Sequence, residues 1–424
     1  MFCFARRAHV AFFAAAIIYG LAYLPATDVF PPKTKKSNYL ELMLQPLKSI
    51  SVIPFAHIHR VDTDWTAVTP WAYVYSAYID DRLGEQGVLL RIVGALNASF
   101  PDAYDFQCIV RKTAYTASVE VILENHNQSF SAVFFVCKLG KSKYKRFRKI
   151  TFIVRKSREP VKEVSLRIAN SPVDSPSKYE GQIIICVRPF FHGRPAITEF
   201  AQFLAYYTVH GIRHFAFYHE STVSPHVEQF MSRLPKKYRF TYLPWSLDVR
   251  DVVWHRGQLG FLQDCLYRHM RRFEYVAVVD LDEFLFPFPS ESGEPVSLSE
   301  FANTLPRDKT CFLFRHVCLP PSGNPGKLYI FESTTREAGI WEPKARSKYL
   351  ARPVGLVEGW VHECRRFVKL QWGEYVVENA LLFHYRNFTI SGNLTKDTRM
   401  MVWKKHVEES DVMEVYRRYN TSTF

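Results

Sequence analysis

Two hydrophobic rhythms divide the chain. From about Trp65 to Ile168 the apolar residues fall in short β-type runs: Trp71–Ile79, Val88–Ala95, Ala117–Leu123, Phe130–Cys137 and Lys149–Val154. Asp80-Asp81, Glu124-Asn125 and Leu139-Gly140 supply turn chemistry between them. Short strands at this spacing predict a small β-sandwich over 61–169. A Ser- and Pro-rich stretch, Asn170–Ser177, then reads as a linker. Beyond it the rhythm alternates. Gln182–Val187 is a short apolar run. Pro195 opens a helical pattern with Ile197, Phe200, Leu204 and Tyr207 on one face, closed by Gly211. A strand at His214–Tyr218, a helix at Val223–Leu234 and a strand at Phe240–Leu243 follow. His255–Phe273 reads as a long amphipathic helix with Leu259, Leu262, Leu266 and Met270 inward, and Tyr275–Val279 as a continuous apolar strand. Strand–helix alternation of this kind predicts an α/β domain over 178–395, its mostly parallel sheet covered on both faces. Residues 396–424 read as a C-terminal extension.

The N-terminus follows neither rhythm. Arg6 and Arg7 precede Ala8–Leu24, an uncharged run at the lower length limit for crossing a bilayer. The basic flank predicts a seven-residue cytoplasmic tail (1–7), a signal anchor over 8–24 and a lumenal remainder. The competing reading is a cleaved signal peptide with Gly20 and Ala22 as small cleavage-site residues. Residues 25–60, with prolines and lysines and little periodicity, read as a stem. Five Asn-x-Ser/Thr sequons, at Asn97, Asn127, Asn387, Asn393 and Asn420, agree with secretory entry. With Cys3 on the cytoplasmic side, seven of the eight cysteines are lumenal, so at least one stays unpaired or pairs between chains. Cys108 and Cys137, both in the β-rich region, are the expected bridge. Cys311 and Cys318 flank a strand, so a bridge between them would be strained.

The chain of 424 residues is 47% apolar and 23% charged, which excludes wholesale disorder, a collagen and a coiled coil. Its net charge of +14 is concentrated: Lys138–Arg167 holds 12 Lys or Arg against 2 Glu. No recognition helix or motif accompanies this segment, and a lumenal protein meets no genomic DNA, so nucleic acid is not an expected partner. A solvated strand face and a contact with anionic glycans or headgroups are the readings left.

The sharpest chemical signal closes the last strand of the alternating region: Asp280-Leu281-Asp282-Glu283-Phe284. Ligands of open α/β sheets bind at the carboxyl ends of strands. Two carboxylates at i and i+2 share a face in extended chain, and a turn splays them. One then reaches a metal and the other a sugar or ribose. Sugar-nucleotide transferases and haloacid-dehalogenase phosphohydrolases both place Asp-x-Asp after a buried strand. The second class follows its acids with Thr or Val where Phe284 stands and needs a later acidic loop that is absent from the chain.

The wider sequence around these acids resembles glycosyltransferase family 92. The blocks that carry the resemblance are Cys186-Val-Arg-Pro-Phe-Phe, Glu199-Phe, Tyr206 to Tyr218, Gln258-Leu, Gln263 to Arg268, Val278 to Phe284, Lys348-Tyr-Leu-Ala-Arg-Pro353 and Ala380-Leu-Leu-Phe-His-Tyr-Arg386. They occur in the family's order over roughly half the chain. The resemblance implies a GT-A (Rossmann-like) fold, often behind a β-rich domain, and metal-dependent, inverting transfer of β-linked galactose from UDP-galactose to a glycan. It implies a type II Golgi membrane enzyme. The alternative is a carbohydrate-binding protein whose transferase domain is inactive.

Under this resemblance Asp282 is the first choice for direct ligation of Mn²⁺ or Mg²⁺. Asp280 lies towards the ribose or ligates through water, and His384 is the third protein ligand; oxygen donors with one imidazole tilt the choice to Mn²⁺. Lys348 and Arg352 are candidates to hold phosphates, and Glu220 to contact the nucleoside. An inverting displacement needs a base on the acceptor hydroxyl. Glu332, Glu337, Glu342, Glu358, Glu363 and His362 are candidates, with Glu363 preferred. Trp341, Trp360 and Trp372 are candidates to stack on sugars or to fill core.

Overall fold

A computed structural model describes residues 58–421 except 85–86, 102, 141–146, 173–177, 191–194, 221–223, 322–326 and 387–392. The tail, the anchor at 8–24, Cys3, the stem up to residue 57 and the sequon at Asn387 lie outside the described residues. Among the described residues no helix is long and apolar enough to cross a membrane.

The last residues assigned to the stem are not linker. Ile58–Arg60 form a strand, β1, on the edge of the central sheet. The β-rich region follows as β2 (Thr66–Thr69), β3 (Ala72–Asp80), β4 (Val88–Asn97), β5 (Tyr104–Val110), β6 (Thr113–Val121), β7 (Phe130–Gly140), β8 (Lys149–Lys156) and β9 (Glu159–Arg167). They make one eight-stranded antiparallel sheet in the order β2-β3-β4-β7-β6-β5-β8-β9. The sheet doubles back on itself: Ala77 of β3 bridges Ile168, just past β9. Both layers fill one core around Ile92, Phe106, Phe135, Phe152 and Leu166. The expected Cys108–Cys137 bridge joins β5 to β7. Strand β9, Glu-Pro-Val-Lys-Glu-Val-Ser-Leu-Arg, escapes sequence reading because it is exposed along most of its length and shows no alternation.

The second rhythm builds β10 (Gly181–Phe190), α1 (Ile197–Val209), β11 (His214–His219), α2 (Pro225–Ser232), β12 (Arg239–Pro244), α3 (Gln258–His269) and β13 (Phe273–Val279). Strands β12, β11, β10 and β13 pair in parallel, as the alternation requires. The sheet then becomes mixed through β14 (Glu283–Pro287), α4 (Leu298–Thr304), β15 (Cys311–Leu319), α5 (Tyr329–Glu332), β16 (Thr335–Glu337), β17 (Lys348–Ala351), β18 (Leu356–Gly359), β19 (Cys364–Phe367), β20 (Glu374–Tyr385) and β21 (Leu394–Lys396). The central sheet has nine strands in the order β1-β12-β11-β10-β13-β17-β15-β20-β14. Strand β17 is antiparallel to both β13 and β15, β20 is parallel to β15, and β14 is antiparallel to β20. One sheet edge therefore gathers the carboxyl ends of β10, β11, β13, β15 and β20 with the amino ends of β14 and β17.

One face of this sheet packs on α1, α2 and α4. The closing helices α6 (Lys404–Glu408) and α7 (Asp411–Thr421) belong to the same core through Val407, Val412, Met413, Tyr416 and Tyr419. The segment read as an extension is thus part of the domain. The other face packs on α3, and α3 packs on β3, β4 and β7 of the antiparallel sheet. All 12 residues of α3 are buried. Its apolar positions face in as the periodicity predicts, but its polar side is covered too. Cys186–Cys265 ties β10 to α3, and Cys311–Cys364 ties β15 to β19. Cys318 is the free thiol among the described residues.

Candidate active site

Strand β13 ends at Val279, and a tight turn carries the chain into β14. The Glu283 amide donates to the Asp280 carbonyl at 3.2 Å, and the Asp280 amide donates to Glu283 Oε2 at 2.8 Å. The turn splays the two aspartates. Asp282 Oδ2 lies 3.3 Å from His384 Nε2, while Asp280 Oδ1 lies 3.2 Å from Arg188 Nε at the end of β10. His384 is placed by sheet register, because it stands opposite Glu283 in the β14–β20 pair. Its other nitrogen, Nδ1, is 3.1 Å from His316 Nε2 on β15 and 3.8 Å from Glu283 Oε1. Beneath, the buried Lys348 ammonium at the start of β17 pairs with Glu283 Oε2 at 3.2 Å.

Alternating charges set the protonation of this cluster. Burial pushes the Asp280 carboxyl up, but Lys348, Arg188, His384 and Arg386 together hold it below the usual carboxylate value. Burial and the neighbouring charges of Asp280 and Asp282 raise Glu283 despite Lys348 and His384. Burial disfavours a charged His384, yet its hydrogen bond to Asp282 and the charges of Glu283, Asp282 and Asp280 raise it above the ordinary imidazole value.

These residues suit a hard divalent cation. Adjacent ligands of an octahedral ion with bonds of about 2.1 Å stand about 3 Å apart, close to the 3.3 Å between Asp282 Oδ2 and His384 Nε2. Asp280 Oδ1 is buried and takes no aligned hydrogen bond from the described residues, a carboxylate oxygen with capacity in reserve. Asp280 does not close a compact three-ligand set with the other two: the set found among the described residues is Cys311, Cys364 and Glu374, whose cysteines form a disulfide.

The other candidates divide by place. His362 stands beside the cluster. Its Nδ1 is 3.0 Å from the Ser347 carbonyl, and burial, then the Lys348 charge, lowers it to about 4. Glu220 follows β11 on the same edge and is held by Arg256 NH1 at 2.9 and 2.7 Å. Arg352 is not brought to the cluster. It lies at the far end of β17, buried, donating to the Pro306 and Lys309 carbonyls at 2.6 Å each and stacked on Tyr275. Glu363 is not brought there either. It pairs with Lys344 at 3.0 Å and Arg365 at 3.6 Å, and Lys344 also binds Glu374, at the amino end of β20 opposite His384. Among the tryptophans, Trp341 packs edge-on against His316, whereas Trp360 and Trp372 lie under Arg365 and Lys369.

Four residues join the site without a sequence-based assignment: Arg188, Glu283, His316 and Glu199. Arg188 and Glu283 sit inside blocks already singled out, next to the strand ends that carry them. Glu199, in the first turn of α1, has a carboxyl raised by burial and by the charge of Asp282.

An acid–imidazole cluster at the carboxyl ends of the strands of an α/β sheet stands where such sheets bind their ligands. Residues 181–423 match glycosyltransferase family 92, and the chain belongs to that family. It is similar to the β-1,4-galactosyltransferase galt-1 of Caenorhabditis elegans, 24% identical over 221 residues, 51% of each chain. It is also similar to the glycosyltransferase family 92 protein ZK381.2 of the same organism, 24% identical over 237 residues, 48% of this chain and 41% of that protein. The chain thus spans about half the length of these relatives or less.

Proposed function

We propose that the protein is a metal-dependent, inverting galactosyltransferase that uses UDP-galactose and a glycan acceptor, on a GT-A-type domain in the Golgi lumen. The cluster of Asp280, Asp282 and His384 on the strand edge carries this reading. Family membership and the similarity to a β-1,4-galactosyltransferase support it. Asp282 and His384 would hold Mn²⁺, with Asp280 acting through water or on the ribose. A divalent ion there supplies Lewis-acid neutralisation of the charge that gathers on the leaving diphosphate. Arg188 and Lys348 fix the Asp280 and Glu283 carboxylates, so the acids keep their orientation. The acceptor hydroxyl attacks the anomeric carbon, its proton passes to a base, and the bond to UDP breaks with its electron pair on the phosphate oxygen. We assign the base to Glu199: it lies in the first turn of α1, which follows β10 at the carboxyl edge of the sheet, within electrostatic reach of Asp282, and burial raises its carboxyl, which favours taking up a proton.

The direct test is UDP release from UDP-galactose with Mn²⁺ and a glycan array. Glycan binding without UDP release from any UDP-hexose would favour the carbohydrate-binding alternative. Glu199→Gln is expected to lower turnover by about 10²–10⁴-fold, the scale of general-base catalysis, with the KM for UDP-galactose and the Mn²⁺ requirement unchanged. Glu363→Gln should stay near wild type, and the opposite ranking would return the base to Glu363. His384→Ala should raise the Mn²⁺ concentration for half-maximal activity, with excess Mn²⁺ restoring part of the rate. An unchanged metal requirement would remove His384 from the ligand set.

A further inference from the structure

At the opposite edge of the central sheet lies a cavity of about 360 Å³, between the amino ends of β10 to β13, the chain after β1 and the chain after β9. Strand β13 spans the distance: Phe273 lines the cavity and Asp280 follows Val279, about 20 Å away at about 3.3 Å per residue. The cavity is therefore separate from the acid cluster. We infer that it binds a phosphate or sulfate ester of about the size of one sugar ring.

The charge of the lining favours an anion. Arg60, Arg167, Arg239, Arg268, Arg271 and Arg272 line the cavity together with Asp62 and Glu180, and Arg60 is paired with Glu228 at 2.9 Å. Arg272 pairs with Glu180 at 2.6 Å, Arg271 with Asp81 at 2.9 Å and Arg268 with Asp264 at 2.9 Å. These ion pairs hold the guanidinium groups of Arg268, Arg271 and Arg272 in place, and planar guanidinium forks of this kind recognise tetrahedral oxyanions. Arg167 has no carboxylate partner among the described residues. It ends the basic run Lys138–Arg167, which the acid cluster does not use.

A second observation points to a ligand. His269 closes α3, is 1% exposed and lines the cavity, and neither ring nitrogen has a hydrogen-bond partner among the described residues. An unpaired buried imidazole costs free energy unless something binds it. Burial and the charges of Arg272 and Arg268 keep it neutral, so it offers one N–H and one acceptor, suited to an oxyanion and a sugar hydroxyl. The cavity has room for more than a bare ion. The volume falls in the small-molecule range of roughly 300–1,000 Å³ and far exceeds the roughly 30 Å³ of a water. The apolar part of the wall, Ile184, Phe215 and Phe273, would face the ring carbons.

Calorimetric titration of the full chain, with EDTA present to remove metal from the acid cluster, tests the inference. The probes are glucose 6-phosphate, glucose 6-sulfate and inorganic phosphate. At least one ester should bind saturably, one to one and at least about tenfold tighter than inorganic phosphate, and the tighter ester identifies the source of the charge. Arg239→Gln and Arg167→Gln should each weaken it about tenfold, the scale of a charged hydrogen bond, while Asp282→Asn leaves it unchanged. His269→Asn should weaken it similarly; if that variant does not fold, the two arginine variants decide. No binding of either ester, wild-type affinity in both arginine variants, or loss in Asp282→Asn would overturn the inference.

Discussion

Asp282→Asn and Asp280→Asn should each lower sugar transfer by about 10²–10³-fold or more, the scale for removing one preorganised electrostatic contact. The protein should remain folded. Asp282 is part-exposed, and its carboxylate meets His384 at 3.3 Å. The amide keeps the shape but loses the charge that binds a cation. Asp280 is held among Arg188, Lys348, His384 and Arg386, so Asp280→Asn leaves cations facing each other and should cost more stability than Asp282→Asn. Transfer assays with melting curves separate the two effects. Full activity in either variant would end the metal-site reading. Loss of fold in both would make the turn structural.

Asp264→Ala should destabilise the protein by about 3–5 kcal/mol, the cost of breaking a buried ion pair by removing one partner. Asp264 lies on α3, fully buried, and accepts from Ser76 Oγ at 2.6 Å, Tyr218 Oη at 2.6 Å, Arg268 at 2.9 Å and the Tyr78 hydroxyl. One carboxylate thus joins the antiparallel sheet, the central sheet and the helix between them. Its removal leaves the Arg268 charge and three hydroxyls without their acceptor. Burial pushes Asp264 up, but Arg268 and the hydroxyl donors hold it below its ordinary value. A depressed carboxyl stabilises fully above the unfolded value of roughly 3.9 and loses that contribution as pH falls through its folded value. Denaturant unfolding at neutral pH should therefore show the full gap between wild type and Asp264→Ala. The gap should narrow below about pH 4. A loss under about 1 kcal/mol at neutral pH would show that hydrophobic packing alone holds the junction.

The network around Asp264 also marks where the sequence stops being readable. Strands β10 to β13 were legible because parallel strands buried on both faces read as apolar runs, and the acids gained meaning from their place after one of those runs. The polar side of α3 reads as a solvated face: Gln258, Gln263, Asp264, Arg268 and His269 have helical spacing but no apolar signal. In the structure that side meets the antiparallel sheet, and the hydroxyl partners of Asp264 come from 46 to 188 residues away along the chain. Strand β9 hid for the opposite reason, since exposed pairing needs no alternation. The preference for Glu363 relied on its nearness in sequence to matched motifs. Its ion pairs with Lys344 and Arg365 depend on where β19 and the start of β20 lie, which no local pattern encodes. Glu199 was quoted within a matched block, yet only the fold sets it beside Asp282.

The burial of α3 on all sides bears on ancestry. The match to family 92 begins at residue 181, but the helix within it is roofed by β3, β4 and β7, and β1 adds an edge strand to its sheet. The stretch matched to the family is therefore shorter than the stretch packed into one core. A relative with a different N-terminal region must roof the corresponding helix with other residues or carry a polar side there that tolerates water. Side chains on this helix are thus expected to vary in step with those of β3 and β4, across the start of the family match at residue 181.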